Sequence, residues 1–343
     1  MKRRNTFLLV IISVIFSLFI SGCGNGNSGS SSSAGGSSEK KRELKMSVTV
    51  GETSTWFKAA QKFAEEVEKE SDGRITINVY PNEQLSGGDS GKAVESLAKG
   101  TIDLTYNSTI IYSILNEKLG VLSAPFLFSD LQAVDEKLGG QGGEEIKKIL
   151  RDFGVEPLGF GENGFRQLTN SKVEIKSPED LKGLKIRIPG IKMYTDLWTE
   201  FGANPATMTF SEVFTSLQSG TIDGQENPID VIYSSKLNEV QKYLTMWNYS
   251  YDPLVLGMNK KLFDSLSDED KKLIQAAADN ANKFQIEEAR KLEAEQIKSL
   301  EESGMKLYYP TEEETKKFKE ASQPIYDKYK SVWGEDLLKS FQD

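Results

Sequence analysis

The chain has 343 residues, 38% of them apolar and 27% charged, a formal net charge of −9, one cysteine and no histidine. The missing histidines exclude His-based catalytic triads and His-ligated metal sites. The acidic balance argues against nucleic acid as a partner and against adsorption to anionic lipid.

The N-terminus opens with Met1-Lys2-Arg3-Arg4, followed by an apolar run from Phe7 to Ile20 broken only by Ser13 and Ser17. A basic start, a short apolar stretch and small residues describe a signal peptide over 1–22, too short for a comfortable membrane span. Losing Lys2, Arg3 and Arg4 takes the net charge from −9 to −12. Ile20-Ser21-Gly22-Cys23 resembles a bacterial lipobox, so Cys23 is the expected lipidation site and membrane attachment point. As the only cysteine it can form no intrachain disulfide. Residues 24–43 are dominated by Gly and Ser. With Cys23 they form a tether over 23–43, with a root-mean-square reach of ~25 Å. These features place the protein outside the cytoplasm, lipid-anchored at the outer face of the cytoplasmic membrane or on the periplasmic side.

Residues 44–343 are more than one small core needs and suit two domains. "LKMSVTVG" reads as a strand with Met46, Val48 and Val50 on one side. "TSTWFKAAQKFAEEVEKESDG" reads as a helix with Phe57, Ala60, Phe63, Ala64 and Val67 on one stripe, stopped by Gly73. "RITINVYP" alternates Ile75, Ile77 and Val79 before Pro81. A Gly-rich turn at 86–91 leads to a helix over Ala93, Val94 and Leu97, closed by Gly100, and Ile102 and Leu104 start a third strand. The β-α-β-α-β order predicts a largely parallel sheet covered by helices.

The pattern returns. "SPED", Ser177 to Asp180, reads as a helix start, and "GLKIRIP" echoes "GRITINVYP". "SEVFTSLQSG" reads as a helix with Ser211 as N-cap and Gly220 as stop. "SLQSGTID" at 216–223 repeats six of the eight letters of "SLAKGTID" at 96–103. The repeated phrase predicts one helix-to-strand junction used in two like domains. Ser267 to Ser303 contains neither Gly nor Pro. It reads as one long helix packing on two bodies in turn, or as two helices broken near residue 286.

In open α/β sheets ligands sit beyond the carboxyl ends of the strands. Arg187 lies there, between Ile186 and Ile188. It is either a solvent-facing edge residue or a fork for a carboxylate. "GQENP", Gly224 to Pro228, can turn Gln225, Glu226 and Asn227 into a cleft, or be a polar turn. Arg166, after an apolar "PLGF" strand, raises the same question.

"FRQLTNSKVEIKSPEDLKGLKIRIP" followed by "FSEVFTSLQSGTIDGQENP" resembles the signature of TRAP transporter solute-binding proteins. "FAEEVEKESDGRITINVYPNEQL", "APFLF", "EVQKYLTMWNY" and "NKKLFDSL" match in order, so the resemblance covers almost all of 44–343. It implies an α/β, two-domain fold like that of periplasmic binding proteins. Each domain is a mostly parallel sheet flanked by helices, and crossing strands and a long helix join the two. It implies domain I at 44–163 plus 253–290 and domain II at 164–252 plus 291–343. The family's main carboxylate-binding Arg falls on Arg187, a second Arg on Arg166, the pocket Asn on Asn227 and a ligand-facing aromatic on Phe210. Gln225, Glu226, Asn107 and Asn163 complete the expected polar set, with Thr49 and Glu52 from domain I. In the strand written "LTYNSTIIYS", Ser108 and Ile111 stand where sialic-acid binders carry an acid and a second Arg. Thr49 stands where they carry Asn, so sialic acid is not the expected ligand.

The resemblance implies a receptor, not an enzyme, that takes a small organic acid between closing domains and hands it to the small and large membrane subunits of a TRAP transporter. The acid is a sugar acid such as a hexuronate, or a C4-dicarboxylate with Arg166 as second cation. The expected protein is a monomer without cofactor or metal. The alternatives are a receptor of an ATP-driven importer or a carboxylate-dependent surface enzyme.

Overall fold

The computed structural model describes residues 41–342; the expected signal peptide, Cys23 and nearly all of the tether lie outside them. The described residues contain eleven strands. The first four are β1 (Arg42–Val48), β2 (Ile75–Tyr80), β3 (Leu104–Ser108) and β4 (Val155–Phe165). Next come β5 (Gln167–Asn170), β6 (Lys185–Ile188), β7 (Asn204–Thr207) and β8 (Gly224–Asn227). The last are β9 (Tyr243–Thr245), β10 (Tyr251–Asn259) and β11 (Lys306–Tyr308). Because β1 starts at Arg42 and pairs with Ile75 and Thr76, the last two tether residues are already strand.

Two sheets form, in the orders β2-β1-β3-β10-β4 and β11-β9-β5-β8-β6-β7. Parallel pairing joins β1 to β2 and β3, β6 to β7 and β8, and β9 to β11. Each sheet also holds one strand antiparallel to both neighbours: β10 between β3 and β4, β5 between β8 and β9. Both lie where the chain changes sheet. It leaves the first sheet on β4, passes through Arg166 alone and enters the second on β5. It returns from β9 to β10.

The repeated phrase has the same geometry twice. Gly100 (φ 82°) and Gly220 (φ 72°) end their helices in the left-handed region that glycine tolerates. The amides of Thr101 and Ile102 both donate to the Ser96 carbonyl, and those of Thr221 and Ile222 to the Ser216 carbonyl. The Asp side chain then catches the neighbouring strand. Asp103 Oδ2 accepts from the Lys45 amide of β1 at 2.8 Å, and Asp223 Oδ2 from the Lys185 amide of β6 at 2.9 Å. The acid is therefore part of the junction, which generic helix-to-strand punctuation does not require.

The long helix is one unbroken element, Asp268–Glu302, capped by Ser267 with three acids in its first turn. At 1.5 Å per residue it is about 52 Å long. Its first half packs Ile274, Ala277, Ala278 and Ala281 into a core with Phe63 and Val67 of the helix Thr55–Glu70. Leu300 near its far end joins a separate core with Ile232 and Leu244. Close to where a break was the competing reading, Gln285 instead bonds both the amide and the carbonyl of Glu162 on β4, each at 2.7 Å. The last helix, Glu335–Gln342, sets Phe341 edge-on to Phe128, 6.0 Å between ring centroids. The C-terminal segment thus also touches the first part of the chain.

Three local expectations change. "SPED" forms a single 3₁₀ turn, Pro178–Leu181, closed by a capping box, before the chain turns into β6. The strand begun at Leu104 ends at Ser108, whose hydroxyl accepts from the Ile110 amide and starts the short helix Thr109–Tyr112. Ser211 is not an N-cap; it lies inside the turn Phe210–Glu212 and its hydroxyl donates to the Gly88 carbonyl at 3.0 Å.

Asp103→Ala and Asp223→Ala should each lower unfolding stability by about 1 kcal/mol, the net worth of one such hydrogen bond. Urea denaturation reads the loss; unchanged midpoints in both variants contradict a structural role for the repeated acid.

Candidate functional site

Residues from both sheets enclose a cavity of about 320 Å³, at the lower end of the range for small-molecule sites. One wall lies at the carboxyl ends of the parallel strands β6, β7 and β8, with Arg187, Thr207 and Asn227. The other comes from the ends of β1 and β3, with Thr49, Val50, Asn107 and Ser108. Asn163, Arg166 and Asp252, where the strands cross between sheets, complete the lining. A second cavity of about 330 Å³ shares Thr49, Ser90 and Phe210 with the first, and Gly88 and Ser211 line it.

The two arginines are both buried and differ in their partners. Arg166 donates through Nε and Nη2 to the Glu226 carboxylate and through Nη1 to Asp252 at 2.7 Å. Its Nη2 also reaches the Glu226 carbonyl at 2.8 Å and Asn227 Oδ1 at 3.2 Å. Burial alone lowers its pKa, but Glu226 and Asp252 hold it well above the ordinary value. The carboxylates are tied in turn. Tyr249 donates to Glu226, and Asp252 accepts from Ser108 at 2.6 Å and Asn163 at 2.7 Å.

Arg187 is 4% exposed. Its Nε and Nη2 donate to the Met208 carbonyl, at 3.2 and 2.8 Å. Among the described residues no carboxylate lies within ion-pair distance of it. Burial, with Arg166 nearby, brings its pKa down to about 10, against the pull of Glu226 and Glu212, so it stays charged at neutral pH. The Phe210 ring centroid is 5.8 Å from the guanidinium carbon, a cation–π arrangement. The edge-strand reading therefore fails: β6 has neighbours on both sides and Arg187 turns into the cavity wall.

Seven of the ten expected ligand residues line the cavity: Arg187, Arg166, Asn227, Phe210, Asn107, Thr49 and Asn163. Three do not. Glu52 is exposed on the turn before the helix that Ser54 caps. Glu226 is spent on Arg166. Gln225 is buried behind Asn227, whose Nδ2 donates to Gln225 Oε1 at 2.6 Å, so it orients the expected pocket residue. Gly224 is required by a close approach: a Cβ there would stand 2.3 Å from the Thr169 carbonyl oxygen of β5.

Sequence reasoning missed Asp252 and the apolar side formed by Trp56, Ile110 and Val231. Asp252 carried a signal, a lone carboxylate in the otherwise apolar "YDPLVLGM". Apolar residues at helix starts carry none, since they read as core. Asn163 Oδ1, buried in the lining, has no hydrogen-bond partner among the described residues. No cluster of acids that could hold a metal occurs among the described residues, and no helix there is long and apolar enough to cross a membrane.

These features can be set beside known proteins. The chain is 34% identical over 338 residues to the 2,3-diketo-L-gulonate-binding periplasmic protein YiaO of Escherichia coli, covering 96% of this chain and 98% of that one. A TRAP periplasmic solute-binding protein of Ralstonia eutropha, solved with bound (S)-2-hydroxy-2-methyl-3-oxobutanoate, superposes with TM-score 0.85 at 38% identity, over 88% of this chain and 97% of its own. The sugar acid binding protein DctPAm of Advenella mimigardefordensis, solved with galactonate, gives TM-score 0.85 at 34% identity, over 89% and 97%. Other solved relatives hold galacturonate or succinate. The profile of the bacterial extracellular solute-binding proteins, family 7, matches residues 46–332, and the chain belongs to that family.

Proposed function

We propose that this protein is the extracytoplasmic receptor of a TRAP transporter, and that its ligand is a sugar acid with a single carboxylate. The observation that carries the reading is the contrast between the arginines. Arg187 is a buried cation whose protein contacts are one carbonyl and one ring face. A buried charge without a counter-ion is expensive, and a ligand carboxylate gripped by the planar fork removes that cost. Arg166 is already committed to Glu226 and Asp252. A C4-dicarboxylate therefore lacks the second cation that Arg166 was expected to supply. Asn163 Oδ1 is an acceptor in need of a donor, which a ligand hydroxyl provides.

In this reading Arg187 and Asn227 take the carboxylate end, Phe210 covers it, and Thr49 and Asn163 meet hydroxyls. Arg166 holds the base of the site together without touching the carboxylate. The protein binds and releases its ligand without turnover, as a monomer. Domain I, 44–163 plus 253–290, closes on domain II, 164–252 plus 291–343, and the loaded receptor delivers to the small and large membrane subunits. Lipidated Cys23 keeps it at the membrane face. An ATP-driven importer is the less favoured host, since the family match is to TRAP-type receptors.

Calorimetry against D-galactonate, D-galacturonate, D-erythronate and succinate tests the ligand class. At least one sugar acid should bind ten times or more tighter than succinate, about 1.4 kcal/mol. Succinate as the tightest ligand overturns the single-carboxylate reading. Arg187→Lys keeps the charge and loses the fork, so affinity should fall by about 1.5–3 kcal/mol. Undiminished affinity in a folded variant removes Arg187 from the site. Cys23→Ser should move the protein from the membrane to the soluble fraction; retention after a high-salt wash contradicts the anchor.

A further inference from the structure

Beneath Thr49 and Asn107 lies a carboxyl group that the binding scheme does not use. Glu83 is 1% exposed. It follows Asn82, and both adopt the left-handed region, at φ 51° and 54°, which is unfavourable for residues with a Cβ. The Glu83 amide donates to the Val48 carbonyl, and the Gly88 amide donates back to the Glu83 carbonyl. This held turn aims the side chain under β1 and β3.

The partners of Glu83 are hydroxyls and an amide. Ser47 Oγ lies 2.5 Å from Oε2, while Thr49 Oγ1 and Asn107 Nδ2 each lie 2.8 Å from Oε1. Ser90 of the helix Ser90–Lys99 faces it as a further hydroxyl donor. The titratable neighbour is Tyr112, a buried phenol bonded to Thr105 at 2.7 Å. Asp89, next to Ser90, is turned to the Lys92 amide. Among the described residues no Lys or Arg lies within ion-pair distance of Glu83.

The hydrogens can be counted. Asn107 Oδ1 accepts from the Ser108 amide at 2.8 Å, which fixes its amide so that Nδ2 points at Glu83. Thr49 Oγ1 lies 2.9 Å from Asn107 Oδ1 and 2.8 Å from Glu83 Oε1. Thr49 carries one hydrogen and faces two oxygens. An amide oxygen has no hydrogen to give, so if both contacts are hydrogen bonds Thr49 donates to Asn107. The second contact then needs a hydrogen from Glu83.

We propose that Glu83 is a neutral carboxylic acid at neutral pH and a positioning residue: its proton, donated to Thr49, turns the Thr49 hydrogen onto Asn107 and leaves Thr49 a lone pair for the cavity. Burial, the leading influence, pushes the Glu83 carboxyl up from its ordinary value against the opposing pull of the surrounding hydrogen bonds. Thr49 then offers an acceptor only. It meets a hydroxyl group well and a second carboxylate badly, which deepens the sugar-acid reading and rests on it.

The proton itself can be tested without ligand. The infrared difference between wild type and Glu83→Gln at neutral pH should contain the carbonyl stretch of a protonated carboxylic acid, shifted by ¹³C-glutamate labelling. Carboxylate bands alone overturn the proposal. Thr49→Val removes the acceptor and should move that stretch; an unmoved band overturns the Glu83–Thr49 link. The folded carboxyl holds its proton more tightly than the unfolded one. Its contribution to stability is therefore full below the unfolded pKa, about 4.3, and is lost as pH rises through the folded pKa. The Tm of wild type should fall relative to that of Glu83→Gln as pH rises above the unfolded pKa; a constant difference counts against it. With D-galactonate as probe, Glu83→Met should lose about tenfold, and Glu83→Gln should also weaken binding, since an amide nitrogen placed to donate to Thr49 would face Asn107 Nδ2, which donates to Oε1 at 2.8 Å. If D-galactonate does not bind wild type, the sugar-acid reading is weakened while the infrared band still decides the state of Glu83.

Discussion

The two sheets meet at one buried ion network. Arg166 is the single residue between β4 and β5, so its position is set by the crossing itself. It pairs with Glu226 on β8 of the second sheet and with Asp252 on β10 of the first. Both carboxylates are fully buried. Such a network is weak evidence for stability, because desolvation offsets the attraction. Its value here is geometric: it accepts one relative placement of three strands, and the cavity walls are the ends of those strands and their neighbours.

The same network explains why two similar arginines differ in chemistry. Arg166 sits among more carboxylate than it needs, which leaves it a fixed, neutralised strut. Arg187, one strand beyond β8, is shielded from water without gaining a partner of its own. The protein carries a local electrostatic deficit at one place in the wall. On its opposite wall, Thr49, Asn107 and Glu83 are held to one another by hydrogen bonds. In the proposed reading, a molecule that suits both walls is charged at one end and hydroxylated along its length.

The fold was legible where the pattern is local. Alternation in "KIRIP" puts Arg187 opposite Ile186 and Ile188, and the long stretch without Gly or Pro is one helix. The repeated "GTID" read correctly as a shared junction, although the bonds from Asp103 and Asp223 to neighbouring strands are tertiary and could not be seen. The site was legible in its residue types and less so in their roles. Glu226 looked like a pocket residue because nothing local says that Arg166, 60 positions away, will claim it. Glu52 looked equivalent to Thr49, three residues earlier, yet a turn separates a wall residue from an exposed one. Glu83 gave no sign at all, since "PNEQL" reads as a surface turn and its burial depends on two consecutive left-handed residues.

The hydrogen bond from Ser211 to the Gly88 carbonyl joins the segment after β7 to the Gly-rich turn after β2. It lies in the lining of the second cavity, close against Gly88, where a Cβ would stand 2.8 Å from the Ser211 hydroxyl. The contact is one exposed, neutral hydrogen bond between the two loops. The Gly-rich turn and the segment after β7 are therefore coupled in the lining of the second cavity through a hydroxyl and a backbone carbonyl, independently of the buried arginines.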